Sequence, residues 1–535
     1  VSNMIYYFYI LLILLALVVV HQCTTFFIPD LWDKLLDFDD KTKLSHDDLL
    51  TLLDRFKYTH DDGICFGFTL TWAQDVTLEN ERLFYQRLNV IRQEKHYLPR
   101  KVNRVTQKIK NQENISSYED QLIETKPFIE AVCLAQSPED YSDVYAKRLH
   151  QIDINSILAM IRYKLAGNTS AKRIFGKTFA FEAERNVIDF LQHLNDLLKL
   201  NDKLAMLISS EEHTVGLKKH PEGWLFLDIN YLYEQSPDYP YMILNHQELC
   251  KQLYLSLEEN NHMIFHLDFI AKLPSTSIQA RLQQLNYSYP VFPKQLSYVN
   301  NRELGMLPIA AQNGDECTVR EIVRLSHHCN CIDNDQVAAG MRMTLNNNHT
   351  HILDVLVKIR GFNINGPCQT DGSTALAIAC NLGYVKLVKR LLACHEIHVN
   401  EINNKKLTPL MIACESEYTQ QSPELFKLLL HAGARLDLQN AAGESALAIA
   451  QRNKNLAAME AIQAFNVPRS HPKATGSSSH RYIPKHHLTP AGKNHPSLFF
   501  SKKSALQNPA SPSLLSDFSL TQQQGEHLGS SSTYS

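Results

Sequence analysis

No two of the eleven cysteines in this 535-residue chain form a C-x-x-C pair. The odd, scattered set excludes a disulfide framework as the organising principle and reads as reduced thiols. Charge of one sign is also missing: 53 Lys and Arg stand against 56 Asp and Glu, a formal net charge of −3. That balance gives no overall pull towards nucleic acid or an anionic membrane. The long apolar run at residues 4–20, "MIYYFYILLILLALVVV", has no Lys or Arg before it, and "VVVHQC" has no small residues for cleavage. A secretory leader is therefore not indicated. At 17 uncharged residues the run falls just short of a usual membrane span. Segment 1–23 is left as either a membrane anchor or a mis-set start ahead of Val1.

What is present in abundance is repetition. "TALAIAC" (374–380), "TPLMIAC" (408–414) and "SALAIAQ" (445–451) are one phrase written three times, with weaker copies at "GMLPIAA" (305–311) and "AGMRMTL" (339–345). Their central residues, Leu307, Met341, Leu376, Leu410 and Leu447, recur at intervals of 34, 35, 34 and 37. That period, with T-P-L opening a small-residue helix, matches the ankyrin unit. "LLLHAGARLDLQNAAGES" (428–445) follows the ankyrin ending, with Gly433 closing a helix and Gly443 in the next turn. Each unit is a helix pair that buries its apolar face only by stacking on neighbours. Four to five repeats are expected over 301–466, with Cys380 and Cys414 as packed small side chains. The wider fourth interval is assigned to "ESEYTQQSPEL" between its helices.

Beyond residue 467 Pro, Ser, His and Gln dominate, with seven Lys/Arg against two Asp/Glu. Such a segment buries too little apolar surface to offset its ordering entropy, so 467–535 is expected to be a disordered tail. Residues 24–300 differ from both flanks. From about 80 to 205 apolar residues recur at helical spacing, including the whole of "EAERNVIDFLQHLNDLLKLNDKLAML". Strands are then expected at "HTVGLKK" (213–219), "GWLFLDINY" (223–231) and "HMIFHLDFIAK" (262–272), with "HPEG" turning between the first two. Helices followed by a sheet describe an α+β domain.

The chemistry of that domain centres on "DDGICFGFTLTWAQD" (61–75). Asp61 or Asp62 can cap a helix and Gly63 permits a tight turn, which would place Cys65 in the first helical turn. A thiol there sits at the positive end of the helix dipole, which favours thiolate, and nearby N–H groups can hold an oxyanion. A nucleophile needs a base and an orienting group. His213 opens the first strand, and Asp228 lies 15 residues on, across the turn. An antiparallel pair can bring the two to one edge of the sheet. Trp72 is expected beneath the helix as core, and Asp75 as a solvated helix residue.

"GICFGFTLTW", "EHTVGLKK" and "WLFLDINY" together resemble the Cys, His and Asp boxes of papain-like cysteine peptidases of the YopT type. The resemblance implies Cys65 as nucleophile, His213 as base and Asp228 as orienter, with Asn230 and Tyr231 continuing the last box. The glutamine that usually supplies an oxyanion donor has no counterpart just before Cys65, where Thr59 and His60 stand. The order of a peptidase-like domain, ankyrin repeats and a polar tail also resembles the ankyrin effectors that Legionella delivers through its Dot/Icm secretion system. It implies a monomeric effector secreted into the host cytosol or nucleus, with a host protein bound through the repeats. The Ser/Thr-rich end fits a C-terminal signal, though its single Glu526 makes no acidic cluster.

The resulting expectation is an α+β papain-like cysteine protease-type domain (24–300), an all-α ankyrin solenoid (301–466) and the tail. Its chemistry is thiol hydrolysis, with deamidation, transglutamination and acyl transfer open through the same acyl-thioester. The alternative is an ankyrin-based binding effector with a degenerate protease-like domain, docking through loops such as "HEIHVNEINNKKL" (395–407). A membrane-tethered scaffold held by residues 4–20 is a third reading. No cofactor, metal or nucleic acid is called for. "SHHCNC" (326–331) lacks zinc-finger spacing and falls where a repeat helix ends. Asn346, Asn347 and Asn348 are assigned to a turn between repeat helices, and Asn400 to the repeat-loop position at which ankyrin asparagines are sometimes hydroxylated.

Overall fold

The computed structural model describes residues 43–58, 63–146, 148–161, 171–273, 275–329 and 332–466. The apolar segment 4–20, the polar tail, Thr59, His60 and the capping pair Asp61 and Asp62 lie outside the described residues. Among the described residues, six longer helices precede the sheet: α1 (His46–Phe56), α2 (Cys65–Thr77), α3 (Glu81–Glu94), α4 (Leu98–Lys110), α5 (Ser117–Gln136) and α6 (Ile154–Met160), with a further short helical turn at Ser142–Tyr145. Ser45 with Asp48 and Ser116 with Glu119 form reciprocal capping boxes at α1 and α5. Each satisfies two otherwise orphaned amides, and such a cap is worth about 1 kcal/mol.

A six-stranded antiparallel sheet follows, in the order β1-β6-β2-β3-β4-β5. Its strands are β1 (Ala171–Phe181), β2 (Leu204–Ser209), β3 (Thr214–His220), β4 (Gly223–Leu227), β5 (Met242–Leu244) and β6 (Met263–Lys272), with α7 (Glu184–Leu197) and α8 (His246–Ser256) between them. Alternation along the strands divides the core in two. Ala205, Leu207, Leu225 and Leu227 face the helical layer α1–α6. Met206, Ile208, Trp224 and Phe226 face α7 and α8. α2 is sandwiched so fully that all thirteen of its residues are buried.

Three expectations need correction here. The helical pattern over 182–207 ends early: α7 stops at Leu197, and "LAMLIS" is strand β2. Every residue of β2 is buried, so its apolar run carries no period by which to tell strand from helix. β1 likewise falls inside the stretch read as helical. Asp75 is not solvated but 3% exposed, paired with Arg87 at 3.2 Å between α2 and α3. Trp72 is core, as expected, and fully buried.

The described residues close with five helix pairs. They are α9 and α10 (Met306–Gln312, Glu316–Ser326), α11 and α12 (Asn334–Asn346, Thr350–Leu356), α13 and α14 (Ala375–Asn381, Val385–Leu392), α15 and α16 (Pro409–Glu415, Pro423–His431), and α17 and α18 (Ala446–Arg452, Leu456–Asn466). The repeated Thr or Ser is the N-cap of the last three units: Thr374, Thr408 and Ser445 accept from the amides of Ala377, Met411 and Ala448. Cys380 and Cys414 are wholly buried small side chains. The insertion in the fourth unit forms a short 3-10 turn, Glu417–Thr419, whose buried Thr419 hydroxyl donates to Ala413 O and accepts from Asn455.

The array is not a separate bead. Its first pair packs on β1 and β6, with Ala180 and Ile264 joining the apolar core of the repeats. Beneath that contact Thr178 N donates to Asp315 at 2.7 Å, and Thr178 Oγ1 meets His266 at 3.0 Å. At the far end of the turns, Arg148 donates to Leu382 O and lies over the rings of Tyr384 and Tyr418. No helix among the described residues is long and apolar enough to cross a membrane.

Candidate active site

Cys65 is the first residue of α2, preceded by Ile64 as N-cap without a side-chain capping bond. The thiol therefore sits where the helix leaves amides unsatisfied and its dipole is positive. Its Sγ lies 3.6 Å from Glu212 O, and it touches His213 from the neighbouring loop. β2 and β3 are a hairpin whose connection, Ser210 to His213, is closed by Ser210 N donating to His213 O at 2.9 Å. The Ser210 hydroxyl accepts from His213 N at 3.2 Å, which fixes the histidine's backbone.

The two-residue turn Pro221–Glu222 sets the register of β3 on β4, with Gly216 opposite Leu227. His213 and Asp228 thereby emerge side by side at one end of the pair. His213 Nε2 lies 2.9 Å from Asp228 Oδ1, and Asp228 is 2% exposed. The same oxygen accepts from Asn230 N at 2.9 Å, so the carboxylate is oriented by the backbone that follows it. With Nε2 engaged, Nδ1 is the nitrogen left for the Cys65 thiol. Burial opposes a charge on His213, but the hydrogen bonds and negative charge of Asp228 and Cys65 outweigh it and push the ring up to about 10. The structure thus brings Cys65, His213 and Asp228 together.

Two close approaches hold the thiol helix against the histidine strand. Thr69 Oγ1 donates to Thr214 O at 3.1 Å. Gly216 leaves room for the Trp72 ring, which a Cβ there would meet at 2.6 Å. The histidine loop is also tied to the repeats. Arg302 pairs with Glu211 at 3.2 Å and with Glu212 at 2.6 Å, Asn300 donates to Glu211, and Gln312 Nε2 donates to Glu211 O at 3.0 Å.

Glu259 is buried beside this network. Desolvation and the charge of Glu211 raise it to about 7, against the hydrogen bond from Asn301 N and the charge of Arg302. A carboxyl raised in the folded state binds its proton more tightly folded than unfolded, so stability falls as pH rises from the ordinary carboxylate range through about 7. Glu259→Gln removes that loss. Thermal unfolding at pH 5 and pH 8 is expected to show the variant gaining on wild type only at the higher pH. An equal difference at both would remove Glu259 from the pH response.

The cleft also holds residues that no sequence motif marked. Gln136, the last residue of α5, accepts from Gly67 N through Oε1 at 3.0 Å. Its Nε2 has no acceptor among the described residues, and its backbone carbonyl accepts from Gln151 at 2.6 Å. Gln136, Gln151 and Cys65 line one cleft with Ser210, Glu212 and His213. Gln136 arrives 71 positions after the thiol from a different helix. Only the tertiary contact of α5 on α2 reveals it.

Elsewhere, eight described cysteines are free, but Cys329 is disulfide-bonded and departs from the reduced-thiol expectation. Among the described residues no three His, Cys, Asp or Glu side chains form a group able to hold a metal. Asn347 and Asn348 make the turn between α11 and α12, with Asn348 in the left-handed region, whereas Asn346, also assigned to that turn, is the last residue of α11. Asn400 bridges two loops, donating to Gly433 O and accepting from Arg435 N.

A family model for ankyrin repeats, three copies long, matches residues 307–403 and again 341–440. Residues 307–440 are ankyrin repeats, an architecture that generally serves protein–protein interaction.

Proposed function

We propose that this ankyrin-repeat protein is a papain-like thiol hydrolase acting on a protein that its repeats help to hold. The observation that carries the reading is the ordered set at the start of α2. Asp228 holds one imidazole nitrogen of His213 at 2.9 Å, and the other is left for a thiol at a helix N-terminus. In this reading the Cys65 thiolate attacks the carbonyl carbon and the C=O electron pair moves to oxygen. That oxyanion is received by the amide of Cys65 and Nε2 of Gln136. As the tetrahedral adduct collapses, His213 gives its proton to the leaving amine and the C–N bond breaks, leaving a thioester. His213 then takes a proton from water, whose oxygen attacks the thioester and frees the acid and the thiol. Secretion into a host cell by the Dot/Icm route belongs to the same reading, and rests on the resemblance in domain order.

The test is site-resolved alkylation of Cys65 by iodoacetamide across pH 5–9, with buried Cys380 and Cys414 as internal references. Rapid alkylation below neutral pH that depends on His213 supports the nucleophile. A Cys65 as slow as the references, or indifferent to His213, would leave the binding surface as the functional part.

A further inference from the structure

The turn that leads into the first repeat is built like two later copies. Asn300 N donates to Leu304 O, and Asn300 Oδ1 accepts from Arg302 N at 3.0 Å and Leu304 N at 2.9 Å. Asn403 makes the same bonds with Lys405 and Leu407, and Asn440 with Ala442 and Glu444. The asparagine thus fixes the backbone of the residue two positions on, whatever side chain that residue carries. In the two later turns it is a lysine and an alanine. In the first it is Arg302, which lies across the loop that carries His213.

The tip of that loop places two carboxylates side by side. Glu211 and Glu212 are successive residues, and the Glu211 side chain is only 5% exposed. Left to themselves they repel each other, the more so where water is excluded. Arg302 spans both, with Nη1 on Glu211 at 3.2 Å and Nη2 on Glu212 at 2.6 Å. Asn300 Nδ2 donates to the other Glu211 oxygen at 2.8 Å, and Gln312 Nε2 to the Glu211 backbone carbonyl at 3.0 Å. The turn is itself anchored, because Asn301 N donates to Glu259 at 3.0 Å ahead of β6. Two parts of the thiol site hang from this tip. One is Glu212 O, 3.6 Å from Cys65 Sγ, and the other is the backbone of His213. Asp228 orients the imidazole ring, but the tip decides where the backbone bearing that ring stands.

We propose that Arg302 is a positioning residue of the thiol site, holding the Glu211–Glu212 tip so that His213 stays between Asp228 and Cys65. Arg302 acts through His213 and takes no part in bond making or breaking. The turn before the first helix pair is then a working part of the site as well as the entrance to a surface for holding the target. The inference rests on Cys65 and His213 being the nucleophile and base proposed above.

The experiment measures iodoacetamide alkylation of Cys65 in the full chain across pH 5–9, for Arg302→Ala alone and combined with His213→Ala. Arg302→Ala is expected to slow alkylation at pH 6 by about tenfold, one unit in the thiol's ionisation, and to converge on wild type as pH rises. In the His213→Ala background the same substitution should change the rate by less than about twofold, because its route of action is gone. Arg302→Lys, a single point charge in place of a fork, should recover part of the loss. Gln312→Met drops the bond to Glu211 O without altering charge. A slowing of about threefold there, again absent without His213, identifies position as the cause and carries the test should Arg302→Ala fold poorly. Lys294→Ala cuts the exposed Lys294–Glu182 pair beyond the end of β1, two strands from β2, and should alkylate at the wild-type rate. Wild-type rates in both Arg302→Ala and Gln312→Met would overturn the role of Arg302. So would a slowing that persists in the His213→Ala background or appears equally in Lys294→Ala. Wild-type alkylation that ignores His213 would instead overturn the nucleophile, and this role with it.

Discussion

In His213→Ala, alkylation of Cys65 at pH 6 is expected to slow by about a hundredfold, the lower end of what a positioned acid–base partner contributes. The ring is held charged up to about pH 10 by its neighbours, so at pH 6 it is a standing counter-ion for a thiolate. Removing it takes away that counter-ion and leaves the helix dipole to favour the thiolate. The gap should narrow as pH rises through the ordinary thiol range, where ionisation no longer needs help. Asp228→Asn is the more discriminating variant. Asparagine keeps an acceptor for Nε2 of His213 and for Asn230 N, but removes the negative charge and sets an amide where Oδ2 lies buried without a partner. A loss of about tenfold, one unit of differential proton affinity, is expected there. Asp228→Ala strands both donors and should approach the His213→Ala rate. Equal rates in Asn and Ala variants would mean that Asp228 acts by charge alone. Wild-type rates in both would mean that it does not act on His213.

The parts that could be read in advance share one property: their signal is local. A period of 34 to 37 residues shows across five units because each unit carries its own helix pair, and the last three also repeat their own cap and small-residue helix. The spacing from His213 to Asp228 is readable because a two-residue hairpin converts 15 positions into one hydrogen bond. The parts that could not be read depend on burial from both sides or on distant partners. β2 has no polar face to give it an alternation, so its sequence reads equally as the tail of a helix. Asp75 reads as a solvated helix residue because its arginine lies twelve positions on, across a helix–helix contact. Gln136 is the plainest case. Its role depends on where a 20-residue helix happens to end against another, and nothing in "AVCLAQSPED" announces that.

The same contact between α2 and α5 explains one letter of the cysteine box and leaves another free to vary. A Cβ on Gly67 would stand 2.2 Å from Val132 O, 2.8 Å from Gln136 N and 3.0 Å from Gln136 Cβ. Two of those atoms are α5 backbone, so no side-chain rotation relieves the clash and the helices must separate. Gly67→Ala is accordingly expected to destabilise the protein by about 3 kcal/mol, the upper end for overpacking a tight contact. The lost approach would also carry Gln136 away from Gly67 N and from the thiol. Gly63, four positions earlier in the same box, has nothing nearer its Cβ position than His46 Cε1 at 3.9 Å. Its φ is not among the left-handed ones, so Gly63→Ala should be close to neutral. Denaturant unfolding of both variants separates the two glycines. A Gly67→Ala protein as stable as Gly63→Ala would mean that α2 and α5 are not in this contact, and Gln136 would lose its place beside the thiol. A Gly67→Ala protein that folds at reduced stability and alkylates slowly at Cys65 would tie the packing of α5 to the reactivity of the site.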